Sequence, residues 1–471
     1  MSMKPKKQAT LSHALIPIAF LIGILSLSII KFGADPHIPL ILAIIVAALV
    51  AIYLLGYTWG ELEEGIIDTI KMGMQASLIL MVIGALIGTW ILSGTVPTMI
   101  YFGLQLLSPG IFLVATVIIC SIVSVATGSS WTTAGTVGIA LLGVGQGLNI
   151  PAPMVAGAII SGAYFGDKMS PLSDTTNLAP AMAGADLFDH IKHMFYTTVP
   201  SLIIALILYG VIGARYAGRE LDMQNIQLML STMTDYFMIS PVLLIPPVFV
   251  IIIVMFKIPA LPGLIAGTLV GGIFAAIFQG AGLGDIIDAA HYGFGMESGV
   301  EIVDDLLSRG GLDGMMWTVS LILIALSFGG ILEKTGMLNA IGEAIMKLAN
   351  STGSLIFSTI LTGIAVNLLT GEQYLSLVIP GRMYKEIYAK RGIHPKVLSR
   401  TLEDAGTITS PLIPWNTCGA YMWTTLGIHP FAYAPYAFLN ILTPIIAIIY
   451  GYLGFTITKL DETEKKPVTS N

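Results

Sequence analysis

The chain has 471 residues, of which 55% are hydrophobic and only 11% charged, whereas soluble domains carry roughly a quarter charged residues. A soluble fold of this composition would expose large apolar patches, so the solvent that fits is lipid. The net charge of −6 is small for the length and comes with no basic stripe of the kind nucleic acid requires.

In chain order, Lys4, Lys6 and Lys7 precede the first apolar stretch and place the N-terminal tail, residues 1–10, in the cytoplasm by the positive-inside rule. That stretch is too long for a cleaved signal peptide and no small-residue cleavage site follows it. Apolar runs then recur: Leu15–Ile30, Ile38–Leu55, Leu78–Leu92, Ile111–Val125, Val199–Ile212, Pro241–Phe256, Leu261–Phe278, Met315–Leu332, Leu355–Leu369 and Phe438–Phe455. About 20 apolar residues cross a bilayer as a helix. The runs predict an all-α polytopic membrane protein with about ten to thirteen spanning or partly spanning segments. Glu61, Glu63, Glu64 and Asp68 read as an interfacial amphipathic helix. Cys120 and Cys418 read as packing residues, and no cofactor is expected.

The two halves resemble each other. Ile38-Pro39 recurs as Ile258-Pro259, and Ile66-Ile67-Asp68 as Ile286-Ile287-Asp288, both 220 residues on. Ala85-Leu86, Ile91-Leu92 and Ser170-Pro171-Leu172 recur as Ala325-Leu326, Ile331-Leu332 and Ser410-Pro411-Leu412, 240 residues on. Thr127-Gly128 matches Thr370-Gly371 after a small further gap. An acidic, Gly-rich insertion at 296–314 accounts for the main shift. This gives a first transmembrane repeat over 11–215, a linker over 216–236, a second repeat over 237–457 and a polar tail over 458–471. Repeats in transporters are commonly inverted about an axis in the membrane plane, which makes two inverted repeats the expected architecture.

Polar clusters interrupt the apolar sequence. One is Thr127-Gly128-Ser129-Ser130-Trp131-Thr132-Thr133; another runs from Gly166 to Asn177. The apolar piece before the second, Met154–Phe165, would span only about 18 Å as a helix, roughly half a bilayer. Pro171 removes a donor and disfavours a helical Ser170. Unwound backbone at bilayer depth survives only where protein or a ligand satisfies it. The pattern therefore predicts broken helices or re-entrant hairpins whose freed oxygens suit sodium, a hard cation. Asp174 is the acid expected to hold the ion, with Ser173, Thr175, Thr176 and Asn177, and Ser173 and Asn177 as its nearest ligands. Ser170, Thr127, Ser129 and Ser130 complete the first-half set. Asp167 beside Lys168 reads either as a second carrier or as a solvated ion pair in a loop.

In the second half Thr370, Glu372, Asn416 and Thr417 are the matching candidates. At 240 residues, Asp174 faces Pro414, and Thr176-Asn177 faces Asn416-Thr417. Glu403-Asp404 reads as pathway lining or a surface cap, and Arg382 as an interfacial residue or an anion partner. Asp186, Asp189, His190 and His193 read as a loop. Trp131 and Trp415 stand inside the polar clusters, apart from the tryptophans expected at interfaces.

The fifteen-residue stretch Gly166-Asp167-Lys168-Met169-Ser170-Pro171-Leu172-Ser173-Asp174-Thr175-Thr176-Asn177-Leu178-Ala179-Pro180, with Thr127-Gly128-Ser129-Ser130-Trp131, resembles the signature of the NhaC-type sodium/proton antiporter family within the ion transporter superfamily. The resemblance implies sodium/proton exchange across a prokaryotic plasma membrane, hairpins in a two-repeat fold, a homodimer and a transport domain moving against a scaffold. The same family includes exchangers of the malate–lactate type, so an organic acid coupled to sodium and protons is the alternative cargo. The expected mechanism is mutual exclusion of proton and sodium at Asp174, with Asp167 and Asp404 as further proton-carrier candidates, during alternating access. No metalloprotease, nucleophile-elbow or Walker sequence is present, which weighs against an enzyme or a primary pump. Repeats with broken helices favour a carrier over a channel.

Overall fold

The computed structural model describes residues 6–217, 223–256 and 258–460. Lys4, residues 218–222 of the expected linker and 461–471 of the tail lie outside the described residues. The chain is helical almost throughout, and the β pairing among the described residues is one antiparallel bridge between Ile393 and Lys459.

Among the described residues seven helices are long and apolar enough to span a bilayer: His37–Leu55, Trp59–Leu92, Pro109–Thr127, Leu187–Ala214, Ala260–Gln279, Asp313–Lys334 and Thr352–Thr370. Two bent pairs, Gln224–Tyr236 with Pro241–Met255 and Pro430–Tyr436 with Phe438–Leu453, turn by 95° and 61° and bring the number to nine where each pair counts as one broken span. Leu11–Ser26 and Met337–Met346 are shorter apolar helices. The sequence expectation of ten to thirteen counted partial spans together with full ones. In the structure the pieces around the polar clusters are separate helices that end at those clusters.

The longest helix, Trp59–Leu92, has 34 residues and is about 50 Å long, well beyond a hydrocarbon core of about 30 Å. The acidic group Glu61–Asp68 forms its first turns, not a separate interfacial helix. Glu61 accepts from the Thr58 amide and hydroxyl, each at 2.9 Å, closing the helix start. Lys6 pairs with Glu61 at 2.5 Å and Lys334 with Glu64 at 2.7 Å. Farther along, a Cβ on Gly88 would lie 1.9 Å from the Ala289 carbonyl oxygen, and the Gly311 amide donates to the Gly84 carbonyl at 2.7 Å. Residues 296–314 lie between helices Leu283–Tyr292 and Met316–Lys334, and this contact seats them on the long helix.

Helices Pro109–Thr127 and Ala152–Met169 pack closely because glycines face the seam. Cβ atoms on Gly162 and Gly166 would meet the Val117 carbonyl oxygen at 2.4 Å and the Val125 amide nitrogen at 2.3 Å. This seam fixes Asp167, one residue past Gly166.

The order of elements recurs. Pro109–Thr127, ended by Gly128 at φ +68°, corresponds to Thr352–Thr370, ended by Gly371 at φ +66°. Asp174–Ala183, ended by Gly184, corresponds to Thr417–Leu426, ended by Gly427. Gly371 stands 243 residues after Gly128, and Gly427 243 after Gly184. At this spacing Pro171 corresponds to Pro414, Ser173 to Asn416 and Asp174 to Thr417. The identical Ser-Pro-Leu triplets, 240 residues apart, therefore do not occupy the same place: Ser410–Leu412 form a 3-10 turn just before the break that Pro414 makes.

Candidate functional site

Four helix breaks meet in one region. In the first half, Pro109–Thr127 stops at Gly128, and the next helix starts at Ser130 with Ser129 capping it through a 3.1 Å bond from the Thr132 amide. Ala152–Met169 stops at Ser170, and Pro171–Ser173 run unwound until Asp174 begins a new helix. In the second half, the chain breaks at Gly371 before Leu375–Lys390, and at 413–416 before Thr417–Leu426. The breaks are tied together. The Thr417 amide donates to the Gly371 carbonyl at 2.8 Å, the Asn416 amide group donates to the Asn367 side-chain oxygen at 3.1 Å, and the Trp415 indole donates to Leu368 at 2.8 Å. Across the halves, the Tyr421 hydroxyl donates to the Trp131 carbonyl at 2.5 Å while the two rings stack 4.3 Å apart.

Between the breaks lies a cavity of about 440 Å³. Its carboxylates are Asp167, Asp174 and Glu372, and among the described residues no Lys, Arg or His lines it. Thr127, Ser129, Ser130, Ser173, Thr175 and Thr417 also line it.

Asp167 is the acid best built for an ion. Only 8% exposed, it accepts from the Ser130 hydroxyl on Oδ2 and from the Ser173 hydroxyl on Oδ1, both at 2.6 Å, with the Ser130 amide at 3.3 Å. Each hydroxyl has lone pairs free to turn toward a cation, as a carboxylate with two oxygen neighbours requires. Ser130 comes from one break and Ser173 from the other, so the site exists only where the two meet.

Asp174 differs from its sequence reading. It is exposed on the cavity wall, with the Tyr374 hydroxyl at 3.4 Å, because the first residue of its helix points off the end of the hairpin. The set Asp174, Ser173 and Asn177 is not assembled around one point. Ser173 gives its proton to Asp167 and lies 3.1 Å from the Thr175 hydroxyl, while Asn177 is spent on backbone, donating to the Pro171 and Ser173 carbonyls at 2.9 and 2.7 Å. Thr176 donates to the Asp167 and Lys168 carbonyls at 3.1 and 3.0 Å, and Ser170 to the Val125 carbonyl at 2.8 Å. These three hold the unwound turn. Thr127 donates across the break to the Ser129 carbonyl at 3.4 Å, and Thr370 back into its own helix to the Val366 carbonyl at 2.8 Å.

Glu372 is buried and accepts from the Tyr374 and Leu375 amides, the latter at 3.2 Å. It caps the Leu375–Lys390 helix and lines the cavity at once. Arg382 is exposed and does not line the cavity.

Several charged residues lie elsewhere than their sequence readings. Lys168 is not in a solvated pair with Asp167: it is 0% exposed and pairs with Asp404, itself buried. Asp404 also accepts from the Thr197 hydroxyl at 3.0 Å and sits away from the cavity. Glu403 is buried beside it, so neither acid caps a helix at the surface. His190 and His193 are buried within helix Leu187–Ala214, not in a loop, and Asp186 caps that helix by accepting from the Phe188 and Asp189 amides at 2.9 and 3.1 Å. Tyr374 and the Lys168–Asp404 pair escaped sequence reading; a lysine inside an apolar, Gly-rich segment was the signal for the latter. Among the described residues no group of three or more His, Cys, Asp or Glu is placed to hold a metal.

A sequence model described as the Na+/H+ antiporter family matches residues 162–455, which include the Asp167 break and all of the second half's breaks. The chain is 43% identical to a Na(+)/H(+) antiporter NhaC of Alkalihalophilus pseudofirmus over 96% of its own length and 98% of the relative's. It is 41% identical to a malate-2H(+)/Na(+)-lactate antiporter of Bacillus subtilis, over 93% and 95%. It is 40% identical to an arginine/ornithine antiporter of Halobacterium salinarum, over 98% and 95%.

Proposed function

Because the chain belongs to the Na+/H+ antiporter family, we propose that it exchanges sodium for protons across a prokaryotic plasma membrane, with sodium held at Asp167. The observation that carries this reading is the Asp167 carboxylate itself. It is buried, ringed by the Ser130 and Ser173 hydroxyls, and opens on a cavity where four helix ends meet. A dehydrated monovalent cation needs a negative charge and several oxygens at once, and the two serines and nearby break carbonyls supply the oxygens. Asp174, on the cavity wall, raises the local cation concentration and passes the ion inward. Movement of one repeat against the other would expose the loaded site to each side in turn, and the proton gradient would drive sodium out. The inverted arrangement of the repeats, the homodimer and a cytoplasmic N-terminus belong to this proposal.

The lining also bears on organic cargo. Relatives include exchangers named for malate and lactate and for arginine and ornithine. Among the described residues, a free dicarboxylate entering this cavity would meet three acids and no cationic side chain, which weighs against the organic-acid alternative. A second reading, transport of a cationic solute such as a basic amino acid, is favoured by the volume, since about 440 Å³ far exceeds the roughly 30 Å³ of one water.

In everted vesicles, sodium added to an acid interior should discharge the proton gradient in wild type and fail to do so with Asp167→Asn, while Asp174→Asn keeps the exchange with a weaker apparent sodium affinity. Normal discharge by Asp167→Asn would remove the site from the reading.

A further inference from the structure

Behind the cavity lies a second group of charges, buried and without contact to the cavity. Lys168, the residue after Asp167, points the other way and pairs with Asp404. The Arg400 Nε lies 3.7 Å from the second Asp404 oxygen, and the Arg400 fork reaches the Thr456 hydroxyl at 2.7 Å. The next acid, Glu403, is 0% exposed, has no cation paired to it among the described residues, and has only the Thr407 hydroxyl, four residues on, beside its carboxylate. It stands at the start of a widened π-helical turn, Glu403–Thr407, a distortion found mostly at functional sites. An ionised carboxylate left bare in a water-excluded interior costs several kcal/mol, which a bound proton removes.

Charge balance shows what such a proton would do. The interior here holds two fixed cations, Lys168 and Arg400, and two anions, Asp404, which is paired, and Asp167, which is held by hydroxyls alone. With sodium absent and Glu403 protonated, the sum is zero. With sodium on Asp167, the sum returns to zero only when Glu403 gives up its proton. We propose that Glu403 is the proton-carrying group of the exchange, separate from the sodium site and coupled to it by charge through Lys168, which pairs with Asp404 on one side and adjoins Asp167 on the other. This rests on the sodium/proton reading above and replaces mutual exclusion at a single carboxylate with two linked sites. Asp404, held by Lys168 and Thr197 on one oxygen and facing Arg400 with the other, is the fixed counter-charge and not the carrier.

The other groups facing Glu403 do not supply this proton. Helix Leu187–Ala214 brings His190, whose Nδ1 lies 2.8 Å from the Ser399 hydroxyl, and His193. Leu375–Lys390 brings Tyr384 and Tyr388, bonded to Thr362 and Thr359, and Phe438–Leu453 brings Tyr450. The Asp174–Ala183 helix adds only Asp174, which faces the cavity, and Thr352–Thr370 carries no titratable side chain.

The test uses the full-length protein in proteoliposomes with two readouts, sodium-for-sodium exchange by isotope and sodium-driven proton movement by an internal pH dye. Glu403→Gln keeps the side chain's shape and can still accept from Thr407, so it should keep sodium-for-sodium exchange, at higher sodium concentrations because the bound charge is no longer balanced, and lose proton movement. Glu403→Asp retains a carboxyl and should restore proton movement with a displaced pH profile. Wild-type proton movement in Glu403→Gln overturns this inference and leaves the function standing. Loss of both readouts in Glu403→Gln overturns it as well, since Glu403 would then belong to the sodium site or the scaffold. A wild type that moves no protons on sodium addition overturns the function and this inference together.

Discussion

A buried carboxylate is tolerable only with partners, and the partners of Asp167 differ in kind from those of Asp404. Asp167 is held by two neutral hydroxyls, which leaves its negative charge uncompensated and available to an ion. Asp404 is held by a lysine, which cancels the charge. Removing one partner of a buried ion pair costs about 3–5 kcal/mol, whereas replacing both by apolar residues is often neutral. Lys168→Met and Asp404→Leu should each lower the thermal unfolding temperature in detergent, and the double variant should be more stable than either. Additive losses in that cycle would show that the two side chains do not act as a pair. Removing Ser173, whose hydrogen bond to a charged group is worth about 1.5–3 kcal/mol, should weaken sodium affinity by at least about tenfold in Ser173→Ala. Sodium titration of the purified protein checks it, and an unchanged affinity would remove Ser173 from the ligand set. At this scale the residue types of the site were legible in sequence, because Asp, Ser and Thr in a Gly/Pro-interrupted apolar segment have few other uses. Which acid points inward was not legible. Asp167 and Asp174 are seven residues apart across an unwound turn, and neither helical nor strand periodicity carries a face through such a turn.

Among elements, the breaks depend on two glycines in the left-handed region. An alanine at Gly128 would pay about 1–2 kcal/mol for φ +68°, and its Cβ would also lie 2.7 Å from the Leu172 Cβ and 2.9 Å from the Ser173 amide nitrogen. Those atoms are the other hairpin, so the clash pushes apart the two breaks that build the Asp167 site. Gly184, at φ +84°, faces only the flexible end of Lys385 and is the control for backbone strain alone. Gly128→Ala should lose sodium-driven proton movement in vesicles, and Gly184→Ala should retain it; equal loss in both would assign the effect to strain alone. Sequence showed that the helices break and that the halves match. It misplaced the second half by three residues, because the matching Ser-Pro-Leu triplets outweighed the proline that makes each break. Pro171 and Pro414 are the structural counterparts, and the word around each differs. The polar segment Asp186–His193 resembles a loop in sequence because acids and histidines are rare in membrane helices. The structure buries both histidines, and Ser399 satisfies one nitrogen of His190.

Taken as a whole, the molecule sets a cavity with three acids against a buried charged group that never meets it, the two joined by consecutive residues of one helix, Asp167 and Lys168. A carrier built this way moves ions only in exchange. In proteoliposomes, sodium on the far side should accelerate isotope efflux, and a channel-like rate indifferent to trans sodium would contradict the arrangement. The membrane class was legible from composition alone, since lipid is the one solvent that accommodates 11% charge. The number of full spans was not. Hydropathy sees apolar length but not where a helix stops, and the helices that matter most stop at the polar clusters of the cavity. The most direct test of the central claim, that Asp167 holds the sodium, is equilibrium sodium binding to the purified protein in detergent. Saturable binding should persist in Asp174→Asn and disappear in Asp167→Asn; undiminished binding in Asp167→Asn would contradict it.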